Sequence, residues 1–157
     1  MGYALQPLLR IRIMREDRAS GELVAAKRDL ALAEEKLAAR ERDLAEYEAT
    51  KEERRDRIYA AIIGREVSRE QLDLANEGVA RIDEEGVLKA DNVKQAQSEV
   101  RTRTAAAEVA RANLNLATKN RMKIDEHRAV WVAEDAQVQE ARAEGELEDF
   151  TNKKDAI

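Results

Sequence analysis

A seven-residue repeat of apolar side chains is the strongest constraint on how this chain can fold. The repeat is seen first at Leu23, Leu30, Leu37 and Leu44, and a second series with the same period runs from Leu72 to Val138. A repeat sustained over such a length imposes about 3.5 residues per turn and buries one stripe of a helix against a partner helix. A globular fold would interrupt it. The sequence therefore predicts long α-helices that pair as a coiled coil.

The composition agrees with this prediction and disfavours an enzyme. Charged residues make up 39% of the 157 residues, aromatic residues make up 3%, and there is one proline, which is typical of a coiled coil. Two paired helices bury only a thin seam, so we expect no deep pocket, no active site and no cofactor. The absence of cysteine excludes disulfides and thiolate chemistry. His127 has carboxylates only at adjacent positions, which is poor geometry for a metal site.

The charge pattern bears on possible partners. No apolar run approaches the roughly 18 residues needed to span a bilayer, and no secretory signal is seen, so we expect a soluble protein. The net charge of −5 argues against nucleic-acid binding. Two basic stretches stand out, and they contain Arg10, Arg12, Arg15 and Arg18 near the start of the chain and Lys119, Arg121, Lys123 and Arg128 late in it.

Proline and glycine mark the ends of the predicted helices. Pro7 suits a first helical turn, so helix one is predicted over about residues 8–63. Gly64 is a natural C-terminal stop, and Ser68 with Gln71 forms a capping box that starts helix two at about residue 69. We therefore predict a single elongated, all-α, antiparallel hairpin over residues 1–157. Its turn lies near residues 64–68, and its longer second helix reaches about residue 150.

The register of the hairpin follows from opposing core positions. In an antiparallel pair, facing residues have numbers with a constant sum, and a sum of about 133 sets large residues against small ones, as dense packing requires. This register opposes Tyr47 with Gly86 and places Trp131 opposite Gly2. It also gives three poorer pairs, namely Leu44 with Lys89, Leu30 with Arg103, and Arg12 with Arg121. At these positions we predict a looser seam, in which the charged ends of the Lys and Arg side chains reach water.

The end of the hairpin that carries both termini is a candidate binding surface. The register brings the two basic stretches together there, either as a docking surface for an acidic partner or as an ordinary solvated face. Trp131 lies where the hairpin is ending, so it either packs in the seam or anchors a partner.

The region beside the turn is a second candidate. It contains Leu72, Ala75, Val79 and Ile82. These residues are either ordinary core or a surface for a second partner, because Gly78 and Gly86 are predicted to loosen the helix locally. A hairpin with a binding surface at each end would connect two partners.

Two segments resemble the YscO-type proteins of bacterial type III secretion systems. The first is Tyr3-Ala4-Leu5-Gln6-Pro7-Leu8-Leu9-Arg10-Ile11, followed by an arginine-rich helix. The second is Arg121-Met122-Lys123 leading to His127 and Trp131, which is similar to a basic, histidine and tryptophan stretch late in the second helix of some of these proteins. Length and hairpin layout agree over the whole chain. The family is related to the flagellar export protein FliJ.

The resemblance implies a central stalk, similar in fold to the coiled coil of the rotary ATPase gamma subunit. Such a protein links the hexameric secretion ATPase to the membrane export gate at the cytoplasmic face of the apparatus in the bacterial cytoplasm. It promotes ATPase activity and export, and some members also bind export chaperones. The resemblance places the ATPase contacts on Leu5, Leu8, Leu9, Arg10, Arg12, Arg15, Arg18 and Trp131. By position alone, it places the gate contacts on Leu72, Ala75, Val79 and Ile82.

The alternative interpretation is a coiled-coil adaptor or export-chaperone-binding protein that does not stimulate the ATPase. Oligomeric state separates the two, because an intramolecular hairpin stalk is predicted to be a monomer, attached to the membrane only through its partners. Pairing between chains would instead give a dimer, in which helix one could continue through Gly64. An enzyme is the third class, and it is disfavoured because the chain has no catalytic constellation or cofactor motif.

Overall fold

The structure is a hairpin of two long helices. The computed structural model describes residues 2–154, with side chains described for residues 2–148. Over these residues it contains α1, Gln6–Ala60, and α2, Arg69–Lys154, and no strand. The two helices pack against each other in antiparallel fashion and α2 is the longer, so the predicted all-α hairpin is confirmed. Within residues 2–154, no helix is long and apolar enough to cross a membrane.

The turn begins slightly earlier than the sequence predicts. α1 ends at Ala60, and the backbone N–H groups of Ile62 and Ile63 both donate to the carbonyl of Tyr59, at 2.9 and 2.8 Å. Gly64 follows with a φ of +75°, in the left-handed region that glycine adopts without strain. The predicted stop at Gly64 is therefore present, but the last turn before it has already left the α-helical pattern.

The capping box predicted at the start of α2 is confirmed. The backbone N–H of Gln71 donates to the Ser68 hydroxyl at 3.2 Å, and the backbone N–H of Ser68 donates to the Gln71 side-chain oxygen at 2.9 Å. These reciprocal bonds satisfy N–H groups that a helix start otherwise leaves unpaired. They explain why α2 begins at Arg69.

Two compact units can be distinguished. The terminal unit lies within Met1–Leu23 and Ala110–Ile157, and the turn unit is Val24–Val109. In the turn unit, Tyr47 is 5% exposed and its hydroxyl donates to the carbonyl of Ile82 at 2.7 Å. A Cβ added to Gly86 would lie 2.5 Å from the Tyr47 hydroxyl oxygen and 2.7 Å from two ring carbons. Tyr47 thus faces Gly86, as the register predicts.

Gly78 and Gly86 do not loosen α2. The helix is continuous through both, and an added Cβ at Gly78 would lie 3.1 Å from the Cδ1 atom of Ile58. The helix is not interrupted at these glycines, and each makes room for a large side chain of α1. Their flexibility as isolated residues is outweighed by the packing that they permit.

The predicted looser positions in the turn unit are closed by ion pairs. Lys89 Nζ lies 2.8 Å from Asp43 Oδ1, and the Lys89 side chain is only 19% exposed. An Arg103 guanidinium nitrogen lies 3.6 Å from Asp29 Oδ2. Arg103 is exposed, so its charged end reaches water as predicted, whereas the charged end of Lys89 is mostly covered and pairs with the carboxylate next to Leu44.

Candidate partner-binding site

The terminal unit is held together by a narrow apolar seam. Its buried residues include Tyr3, Leu9, Ala19 and Ala110. The two alanines allow close approach of the helix backbones, and Leu9 is 2% exposed. Leu9 therefore packs inside the unit, so its burial disfavours the predicted role as a direct ATPase contact. Leu5 and Leu8 are half-buried and keep part of their surface accessible.

An aromatic cluster joins the start of the chain to α2. The Tyr3 hydroxyl lies 2.8 Å from His127 Nδ1, within hydrogen-bond distance. The Tyr3 ring centroid lies 5.5 Å from that of Trp131 and 5.7 Å from that of His127, with tilted planes in both cases. Such geometry favours aromatic contact. Trp131 is only half-buried, so it packs on Tyr3 and still leaves surface for a partner.

The arginines near the start of α1 differ in their exposure and in their ion pairs. Arg10, Arg15 and Arg18 are exposed, whereas Arg12 is half-buried. Arg18 Nε lies 3.0 Å from Glu22 Oε1, but both side chains are mostly solvated, so this pair is weak and can exchange with a partner. Nε of Arg12 is buried and has no hydrogen-bond partner among the described residues.

A polar cluster connects α1 and α2 beside this region. The Glu16 carboxylate accepts hydrogen bonds from the Thr118 hydroxyl, at 2.8 Å, and from Arg121, which also donates to Asp125. The Thr118 hydrogen bond, assisted by Arg121, lowers the pKa of Glu16 despite its partial burial. The two carboxylates raise the pKa of Arg121. The positive charge of Arg121 is therefore balanced by carboxylates within the unit. These hydrogen bonds take the place of the predicted pair of Arg12 with Arg121.

The residues assigned to the export gate divide into two groups. Ala75, Val79 and Ile82 are buried, at 8%, 7% and 5% exposure, and belong to the core of the turn unit. Their burial disfavours the predicted role as a binding surface, and on this part of α2 Tyr47 contacts Ile82 and Ile58 lies beside Gly78. Leu72 is different, since it is 43% exposed and remains available.

Several exposed apolar residues are not among the site residues predicted from the sequence. In the terminal unit they include Ile11, Met14, Leu116, Met122 and Val130, with exposures of 46%, 69%, 61%, 47% and 58%. They fall outside the heptad core positions, and the repeat predicts only which residues lie in the core. A signal was nevertheless present, because Ile11 and Met14 are three residues apart and so share an outward face of α1.

The side chains at this site are of the kinds that contact a protein partner. Among the described residues, no group of three or more His, Cys, Asp or Glu side chains is placed to hold a metal ion. The shifted pKa values of Glu16 and Arg121 in the terminal unit are explained by hydrogen bonds, chiefly from Thr118 to Glu16 and from Arg121 to Glu16 and Asp125. The side chains that the terminal unit exposes include cationic groups, apolar groups and part of one indole ring, beside carboxylates such as Asp17 and Glu126.

Comparison with known proteins supports the resemblance seen in the sequence. Among curated protein sequences there is no significant match. The structure of CT670 from Chlamydia trachomatis, reported as a candidate YscO homologue, matches with a TM-score of 0.73 and 22% sequence identity. The match covers 98% of this chain and 93% of that chain, which shows a shared fold. The family model for the type III secretion protein YscO matches residues 5–153. The chain therefore belongs to the YscO family of type III secretion proteins.

Proposed function

We propose that this protein is the central stalk that links the hexameric secretion ATPase to the membrane export gate, promoting ATP hydrolysis and export. In this proposal the terminal unit contacts the ATPase, the turn unit contacts the gate, and the chain acts as a monomer. The protein works at the cytoplasmic face of the secretion apparatus and is held at the membrane only by its partners. It supplies contacts and no catalytic group of its own.

The observation that carries the proposal is the exposed basic and apolar surface of α1 in the terminal unit. Arg10 and Arg15 are exposed and form no ion pair with any described residue. Ile11 and Met14 lie between them and are also exposed. Cationic and apolar side chains in alternation suit a protein partner with an acidic surface, because the charges steer association while the apolar groups contribute buried area.

We propose that the gate is contacted by apolar residues that the turn unit exposes. Leu72 is retained at 43% exposure, and its neighbours Ile63 and Leu74 are 72% and 63% exposed. These apolar side chains cluster in sequence around the turn, where a partner could cover them. Ala75, Val79 and Ile82 then support this surface from within the core.

The decisive experiment measures phosphate release by the cognate secretion ATPase with and without the purified chain. We expect the wild-type chain to stimulate hydrolysis. A variant with Arg10, Arg12, Arg15 and Arg18 all changed to Glu should lose most of that stimulation while keeping its helical circular dichroism. The control changes Arg28, Arg40, Arg42 and Arg101 to Glu, because these exposed arginines lie in the turn unit and give the same change in net charge.

Stimulation that is lost in both variants would show a general effect of charge and would overturn docking through the terminal unit. Absence of stimulation by the wild-type chain, together with absence of co-elution, would overturn the stalk function itself.

The gate contact needs a separate test. Leu72→Asp with Leu74→Asp should abolish co-purification with the export gate protein and leave ATPase stimulation unchanged. Leu32→Asp is a suitable control, since Leu32 is 58% exposed in the same unit but lies far along α1 from the turn. Equal loss of gate binding in both variants would contradict a contact near the turn.

A chaperone-binding adaptor is the second candidate function. It is favoured by apolar side chains that the turn unit exposes away from the turn, including Val87 and Leu88 at 63% and 61% exposure. Co-elution with an export chaperone but no effect on ATP hydrolysis would support the adaptor in place of the stalk.

A further inference from the structure

The two edges of the helix pair in the terminal unit differ. Glu16, Thr118, Arg121 and Asp125 bridge the helices with hydrogen bonds. Leu116 and Thr118 are two positions apart on α2, which places them about 200° apart around the helix. The edge that carries Leu116 is therefore opposite to the edge closed by the polar cluster.

The edge with Leu116 is an open groove. It has a volume of about 250 Å³, and its lining includes Arg12, Arg15 and Ala19 of α1 with Asn113, Leu116 and Asn120 of α2. Leu116 is 61% exposed. A groove between two packed helices is a common place for a third, amphipathic helix to bind. Its apolar floor and polar rim match the apolar stripe and polar flanks of an amphipathic helix.

The charges of this groove are positive and uncompensated. Arg12 and Arg15 form no ion pair with any residue that the structure describes, and Arg12 Nε is a buried donor without an acceptor. Lys123 lies two helical turns beyond Leu116 on the same face of α2 and is likewise unpaired within residues 2–148. Carboxylates are the natural partners of such side chains.

The groove of the turn unit provides an internal comparison. Its lining also contains two cations, Lys36 and Arg103, beside Leu32 and Ala33. There, however, Lys36 Nζ lies 2.9 Å from Glu99, and Arg103 lies 3.6 Å from Asp29. The turn unit compensates its groove cations with its own carboxylates, whereas the terminal unit leaves Arg12 and Arg15 for carboxylates from elsewhere.

We infer that the groove formed by Arg12, Arg15, Leu116 and Asn120 binds an acidic amphipathic helix of a partner protein. The apolar stripe of that helix covers Leu116, and the Asp or Glu residues beside the stripe pair with Arg12, Arg15 and Lys123. The inference deepens the proposed function and rests on it for the partner's identity, because Arg12 and Arg15 are among the residues assigned to the ATPase.

Direct binding of a defined probe tests the groove without the ATPase. The probe is a fluorescein-labelled, three-heptad synthetic peptide with leucine at the first and fourth positions of each heptad and glutamate at the fifth and seventh. Its control carries lysine in place of glutamate. Fluorescence anisotropy with the full chain, at about physiological ionic strength so that long-range charge effects are screened, should show saturable binding of the acidic peptide alone.

Substitutions locate the binding. Arg12→Glu with Arg15→Glu should lower the affinity for the acidic peptide at least about tenfold. Leu116→Asp alone should also lower it by this amount. Leu116 is mostly exposed, so its replacement leaves the fold intact. Arg111→Glu with Arg142→Glu is the matched control, because both arginines are exposed in the same unit and neither lines the groove. This control should bind like the wild type.

The other outcomes of the peptide-binding experiment separate the groove from the stalk function. Equal binding of both peptides, or equal loss in the groove and control variants, would overturn the inference. Absence of peptide binding by a chain that still stimulates the ATPase would overturn the groove and leave the stalk function standing. Peptide binding without ATPase stimulation would support the groove and contradict the stalk. Sedimentation that shows a dimer abolished by Arg12→Glu with Arg15→Glu would identify a second copy as the occupant and overturn the partner helix.

Discussion

Single glycines decide how closely the helices of the turn unit can approach. At Gly86 an added methyl group would lie 2.5 Å from the Tyr47 hydroxyl oxygen and 2.7 Å from its ring carbons. We expect Gly86→Ala to destabilise the fold by about 1 kcal/mol, since overpacking costs about 1–3 kcal/mol and the better helix propensity of alanine returns about 1 kcal/mol. Urea unfolding followed by far-UV circular dichroism measures the change.

Gly21 offers the matched control. It lies inside α1, and an added Cβ would have no neighbour within 4 Å. Gly21→Ala should therefore stabilise the chain by about 1 kcal/mol through helix propensity alone. Stabilisation of equal size by both substitutions would show that Tyr47 does not need the space at Gly86.

The aromatic cluster of the terminal unit can be followed through its own fluorescence. Trp131 is the single tryptophan of the chain, and its ring contacts that of Tyr3. Tyr3→Ala should shift the Trp131 emission to longer wavelength, because it removes the ring that covers part of the indole. Tyr3→Phe keeps the ring and loses only the hydroxyl contacts with His127 and the Ile124 carbonyl, so the emission should stay unchanged. An identical spectrum for all three proteins would contradict this packing.

At the scale of the helix, the capping box at Ser68 sets where α2 begins. Ser68→Ala removes the acceptor for the Gln71 N–H and should cost about 1 kcal/mol of unfolding free energy. Gln71→Ala removes the reciprocal bond, and the double variant should cost less than the sum because both bonds belong to one motif. Thermal unfolding measures these differences. Ser20→Ala, at an exposed position inside α1, should not destabilise, and a loss equal to that of Ser68→Ala would remove the cap as the explanation.

Local signals predicted the ends of the helices better than their interiors. The capping box and Gly64 are read from a few adjacent residues, so the start of α2 and the position of the turn followed from the sequence. The local rule took Gly86 for a flexible point, whereas the register of the two helices correctly set it opposite Tyr47 across the seam. A glycine in a helix predicts flexibility when taken alone and close packing when its partner is known.

Over the whole molecule, the heptad register predicted which segments of α1 and α2 meet, but not how their charged residues are used. Long side chains reach several positions, so Arg121 binds Glu16 and Asp125 where Arg12 was expected to face it. The same limit applies to the candidate site. Leu9 was grouped with its arginine neighbours although it is core, while Leu116 was missed although it is exposed.

Ion pairs between the helices also make the stability of the molecule depend on pH. The pKa values of Glu16, Glu85 and Glu99 are lowered from 4.5 by hydrogen bonds from Thr118, Arg54 and Lys36, respectively, with Arg121 also contributing at Glu16. A carboxyl group with a lower pKa in the folded state stabilises the fold above the unfolded pKa and loses that contribution as the pH falls through the folded value. The melting temperature should therefore decrease once the pH falls below about 4.5.

Substitution separates these three carboxylates from general charge repulsion in acid. Changing Glu16, Glu85 and Glu99 together to Gln should lower the melting temperature at pH 7 and make it less sensitive to acid, because the groups that lose their charge are already absent. The control changes Glu34, Glu41 and Glu108 to Gln, since these exposed residues give the same change in net charge without an ion pair between the helices. Melting followed by circular dichroism from pH 7 to pH 3 should show a wild-type slope in the control and a shallower one in the first variant. Identical slopes would mean that acid destabilises the hairpin through its total charge and not through these pairs.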